Sequence, residues 1–214
     1  MDERHRRLVL SSTMNNPRNV AILVFDDVEV LDFAGPYEVF NVASQASSPP
    51  PFYVYAVGIN DQPVQARGRF VVTPRYSIES CPQPDVLVVP GGFGTRPLLK
   101  HERLISWMEE QSGKVEWLLS VCTGALLLAK AGLLKNCPAT THHTAFDHLM
   151  HLSPTTTVVK DQRYVQSSAK ILTSGGISAG IDLALHMVEK LAGSGVHAAV
   201  VEEMEYDWGG GAKP

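Results

Sequence analysis

The chain has 214 residues, with 18 Lys and Arg against 22 Asp and Glu, a formal net charge of −4, and 44% hydrophobic residues. That is enough for one substantial core but short of two independent catalytic domains, and with no long basic run after Arg7 the charge excludes an electrostatic footprint for nucleic acid. Three cysteines, Cys81, Cys122 and Cys137, without CxxC spacing argue against a disulfide framework and for a reducing, cytoplasmic compartment, and no apolar stretch is long enough to span a bilayer.

Residues 1–18 read as a polar extension, with Met14 a candidate start; Leu8, Val9 and Leu10 form too small an apolar block for a secretory signal. The first strand is expected at 19–25 (NVAILVF), an unbroken apolar run of the kind covered on both faces. Similar runs at 52–57, 86–89, 115–121 and 171–173 are bounded by Gly, Pro or polar residues. Helices are expected between and after them, at 33–46, 97–111, 123–134, 145–152, 178–192 and 196–206. Segments 69–74 and 157–165 read as peripheral hairpins or edge strands, and 47–51 and the Gly-rich tail 209–214 as loops. The alternation predicts one α/β domain over 19–208, a mostly parallel sheet with helices on both faces and a ligand site beyond the carboxyl ends of the strands.

The junctions between elements carry the chemistry. After the first strand, FDDVEVLDFAGPYEVF places Asp32 just before a helix with Pro36 in its first turn, the position of an ordinary N-cap. PDVLVVPGGFGTRPLL runs a buried strand into Gly91, Gly92, Phe93 and Gly94, where backbone N–H groups can turn towards a ligand. This turn lacks GxGxxG and a Walker lysine, so no nucleotide is expected. VEWLLSVCTGALLLAKAGLL is a strand, an elbow at Cys122 and a helix opened by Gly124. A thiol at such a helix end favours thiolate, the form that attacks; the alternative is a small buried hydrophobe.

PATTHHTAFDHLMH offers His142, His143, His148 and His151, but without HExxH order or a cysteine pair no metal site is expected. His142 is the better candidate for a pocket residue. ILTSGGISAGIDLALHMVEKL repeats the strand, turn and helix pattern, and Ile177 and Asp182 read either as pocket residues or as core packing and a first-turn charge.

In their order and spacing, LDFAGPYEVF, DVLVVPGGFG, SVCTGALLLAKAGLL, ATTHH and TSGGISAGID resemble the DJ-1/PfpI superfamily, and within it the isocyanide (isonitrile) hydratase-like branch and the amidotransferase-like domains of AraC-type regulators. The resemblance covers roughly 19–208. It implies a flavodoxin-like three-layer sandwich of the class I glutamine amidotransferase-like kind and a homodimer. It also implies a catalytic set of Cys122 as nucleophile, Asp32 as proton shuttle, and Gly92 and Thr123 as backbone donors, with His142, Ile177 and Phe93 on the substrate side.

Cys122 is followed by Thr123 where the protease-like members resemble Cys-His, so the protease reading loses its base. Asp32 stands where glyoxalase- or deglycase-type members tend to carry Glu. Only GGGAKP follows Trp208, so a full-length AraC-type regulator is not expected. The expected activity is hydration of an isocyanide to an N-formamide through a Cys122 thioimidate, with no metal or other cofactor. A non-enzymatic metabolite or redox sensor using Cys122, and amidase-, acyl- or glyoxalase-type chemistry, are the alternatives.

Overall fold

The computed structural model of the protein describes residues 16–207. Met14, most of the expected extension, and Trp208 with the tail lie outside the described residues. The first half of the chain runs β1 (Arg18–Val24), α1 (Val30–Gln45), β2 (Phe52–Gly58), a hairpin of β3 (Val64–Ala66) and β4 (Phe70–Val72), β5 (Tyr76–Ser77), β6 (Val86–Val89), α2 (Thr95–Leu98) and α3 (Glu102–Lys114). The second half runs β7 (Trp117–Val121), α4 (Gly124–Lys130), β8 (Pro138–Ala139), α5 (Phe146–Leu152), β9 (Thr157–Val158), β10 (Tyr164–Gln166), β11 (Ile171–Ser174), α6 (Ala179–Ala192) and α7 (Ser194–Glu203).

Seven strands form the central sheet in the order β10-β11-β7-β6-β1-β2-β5, every pair parallel except β10 with β11. The expected mixed α/β architecture with a mostly parallel sheet is therefore what the chain adopts. Helices α1, α6 and α7 pack together on one layer, and α2, α3, α4 and α5 pack on another. Covered on both faces, β1 and β6 can be apolar throughout, and Val20 to Val24 and Val86 to Val89 are fully buried. β1 pairs with β2 on one side and β6 on the other, so the chain reverses its direction of travel across the sheet between β1 and β6. That crevice is where open α/β sheets bind ligands.

Three expectations are corrected. The helix expected at 33–46 starts at Val30, so Asp32 is not its N-cap but a first-turn residue, and Pro36 lies inside the helix. Glu29 stands at the cap position with no side-chain capping bond, which is why the boundary is hard to read from residue types. The helix expected at 97–111 is two, because His101 breaks it and its side chain accepts from the Leu104 N–H to start α3. The helix expected at 123–134 ends at Lys130. The polar-flanked segments 69–74 and 157–165 contain β4, β9 and the antiparallel edge strand β10, as expected of peripheral pieces.

Among the described residues no helix is long and apolar enough to cross a membrane, and no three His, Cys, Asp or Glu side chains are grouped to hold a metal ion.

Candidate active site

At the carboxyl end of β7 the chain turns sharply at Cys122, whose φ of 56° is a left-handed value that non-glycine residues rarely adopt. The strain is held in place from several sides. The Cys122 N–H donates to the Ser174 and Gly175 carbonyls at 3.2 and 3.0 Å, and the buried Thr141 hydroxyl donates to the Cys122 carbonyl at 2.7 Å. Gly91 completes the elbow from the β6 side: a Cβ there would run into the N–H and side chain of Thr123.

Asp32 reaches this elbow from α1 and is fully buried. Its Oδ2 accepts the Gly91 N–H and its Oδ1 accepts the Ile177 N–H, each at 3.1 Å. Pro36, four residues on, has no N–H to give the Asp32 carbonyl. Ile177 achieves its contact with a φ of 55°, uncommon for a β-branched residue, so it is neither core packing nor relaxed loop. The Cys122 side chain is close enough to this carboxylate for each group to shift the other's pKa. Residues far apart in sequence thus converge on one acid and one thiol.

Their electrostatics differ from what the helix end implied. Burial pushes the Cys122 thiol from 9.0 up to about 12, the Asp32 charge and the S–H···O bond adding to the rise, while the Thr123 N–H and hydroxyl act against it. Burial also raises the Asp32 carboxyl from its ordinary 3.8 to about 6, against the hydrogen bonds from Cys122, Gly91 and Ile177. The pull of the helix end towards thiolate is opposed here, because α4 is only seven residues long and burial and the neighbouring Asp32 both raise the thiol. Both shifts act against charge in the pair, and the rise at sulfur favours the thiol over the thiolate.

The two expected backbone donors are also occupied. The Gly92 N–H donates to Thr123 Oγ1 at 2.9 Å, and that hydroxyl donates in turn to the Gly92 carbonyl at 3.1 Å. The Thr123 N–H points at the Cys122 sulfur. Neither is therefore aimed at open space as an oxyanion donor.

Above the thiol opens a small cleft of about 80 Å³. His142, Ile177 and Phe93 line it, as the sequence suggested, with Ile177 38% and Phe93 59% exposed. His142 Nδ1 pairs with the Thr144 hydroxyl at 2.8 Å, and burial, then His143 and Arg96, hold its pKa below the usual value. Asp182 lies elsewhere, in the first turn of α6, bonded to Arg163 and to the Tyr206 hydroxyl.

Residue-type reasoning did not single out Thr141, Glu29, Arg67 or Arg96. Arg67 Nη1 donates to Glu29 Oε2 at 2.7 Å, and its guanidinium lies 4.8 Å from the Phe93 ring centre. Thr141 and Arg96 stand inside ATTHH and GGFGTRP, so their motifs were visible though their roles were not.

Residues 18–190 match the DJ-1/PfpI family. The chain is 35% identical over 187 residues to an isonitrile hydratase of Pseudomonas putida, covering 87% of this chain and 78% of that protein. It is 25% identical over 192 residues to the HTH-type transcriptional regulator GbdR of Pseudomonas aeruginosa, 90% of this chain but about half of the regulator's length, 52%. Among solved structures, a THiJ/PfpI family protein from Pseudomonas syringae superposes with a TM-score of 0.80 at 27% identity, over 92% of this chain and 81% of that one.

Proposed function

The chain belongs to the DJ-1/PfpI family, and from that premise we propose that it hydrates isocyanides to N-formamides, with Cys122 as nucleophile and Asp32 as proton shuttle. The observation that carries this is the pairing of a buried thiol, on a strained elbow, with a buried carboxylate, Asp32, held in place by the Gly91 and Ile177 N–H groups. The likeness to an isonitrile hydratase supports it.

The chemistry fits a site whose backbone donors are engaged. As sulfur attacks the terminal isocyanide carbon, the thiol proton passes through Asp32 to that same carbon, giving a thioimidate, R–N=CH–S–Cys122. Water then adds to the carbon while Asp32 relays a proton to nitrogen. Collapse breaks the C–S bond, returns a proton to sulfur and releases R–NH–CHO. The attack places no negative charge on oxygen, so it needs no free oxyanion donors. Amide or acyl transfer would need them.

Oxidation sensing is less well supported, because sensor thiols are exposed and acidic, whereas Cys122 is 6% exposed with its pKa raised. The experiment is incubation of the purified protein with a simple aliphatic isocyanide, following formamide formation. Turnover in the wild type and its loss in Cys122→Ser is the expected result; equal turnover in the variant, or none in either, overturns the reading.

A further inference from the structure

The wall of the cleft carries two guanidiniums and one carboxylate. Arg67 is taken up by Glu29. Arg96, the second residue of α2, has no carboxylate partner among the described residues. Its Nη1 is anchored on the Gly92 carbonyl at 2.9 Å and on Thr95 Oγ1 at 3.4 Å, and its Cζ lies 5.5 Å from the centre of the Phe93 ring. These contacts fix the guanidinium but use one nitrogen.

The opposite edge, Nε–H and Nη2, is without a hydrogen-bond partner among the described residues. It presents two parallel donors at the spacing of two carboxylate oxygens. The Gly92 carbonyl that anchors Arg96 also accepts the hydroxyl of Thr123, the residue after the nucleophile, so a single shared acceptor separates the cation from the elbow.

From this juxtaposition we propose that the substrates are small isocyanides bearing a carboxylate on the carbon that carries the isocyano nitrogen, α-isocyano acids, with the Nε/Nη2 edge of Arg96 clamping the carboxylate while the terminal carbon meets Cys122. The inference rests on the hydratase reading and deepens it. Exposed Phe93 and Ile177 supply apolar surface for a short side chain, and a cleft of about 80 Å³ suits a small ligand. The product is an N-formyl amino acid: water contributes its oxygen and one hydrogen to the former isocyano carbon and one hydrogen to nitrogen, and the carboxylate is unchanged.

The test compares isocyanoacetate with its neutral methyl ester in wild type and Arg96→Gln. In the wild type kcat/KM for the acid exceeds that for the ester by about tenfold or more, as a charge-assisted bidentate contact implies, and the difference lies in KM. In Arg96→Gln the ratio of the two falls to about one. An ester handled as well as the acid, or a preference that survives the substitution, overturns the clamp while leaving the hydratase reading standing.

If neither compound is hydrated, the hydratase reading fails, and the clamp is read separately by calorimetry with N-formylglycine and its methyl ester. Binding of the acid alone, lost in Arg96→Gln, supports a carboxylate clamp. Absence of binding, or binding equal to that of the ester, removes it.

Discussion

Asp32 accepts two backbone N–H groups beside the Cys122 thiol, and its replacement by Asn separates three effects. Asparagine offers one acceptor oxygen where Asp32 offers two, so either the Gly91 or the Ile177 N–H loses its partner, and the variant should lose about 1–3 kcal/mol in urea unfolding. A helix cap would have tolerated the change. Turnover should fall by roughly a hundredfold to ten-thousandfold, the range for a lost general acid-base group. Because the Asp32 charge helps hold the thiol high, Cys122 should become more, not less, open to a small alkylating agent at neutral pH, a change read by peptide mapping.

The pH dependences follow in sign. Turnover needs ionised Asp32 and declines as pH falls through about 6. Stability runs the other way: a carboxyl raised by folding contributes fully below 3.8 and loses that contribution as pH rises to about 6, so the wild type's stability advantage over Asp32→Asn shrinks across that window.

Among the elements, the elbow between β7 and α4 depends on Thr141, which lies on neither. Thr141→Val keeps the shape and removes the hydroxyl, leaving the buried Cys122 carbonyl only the long 3.5 Å contact from the Ala125 N–H. The expected cost is about 1–3 kcal/mol by thermal or urea unfolding, with reduced turnover at unchanged secondary structure. The strands were legible because a doubly covered parallel strand is a continuous apolar run, and the run at 86–89 coincides with β6. Helix ends were less legible. Glu29 is a poor cap signal, Pro36 reads as a first-turn marker although it lies further in, and His101 breaks a helix by a side-chain bond that its identity does not announce. The positive φ of Ile177 has no sequence signal, since nothing in an isoleucine favours it.

At the scale of the whole molecule, motif order made the family readable and pointed to residues that the fold brings together, while the electrostatics among them were not readable. Residue type placed Cys122 at a helix end and suggested a thiolate; only the packed fold shows that burial and Asp32 oppose this. The cleft cations escaped because Arg67 lies in a segment without a motif, and in GGFGTRP the glycines, not Arg96, carried the reading. Assembly as a homodimer is a proposal carried by family resemblance, and light scattering should report twice the 23.3 kDa of the chain; a monomer at micromolar concentration would remove it.

The two oxygens of Asp32 are tied to backbone 59 and 145 residues away. Chain closure over such distances comes late in folding, because the entropy of long loops must be met before their contacts reward it. On the ribosome, therefore, the growing chain carries an ordinary cysteine and an ordinary aspartate. The coupled pair comes into being only when the strand and turn of the last crossover have docked, so catalytic competence arrives with the completed fold and not with the elbow alone.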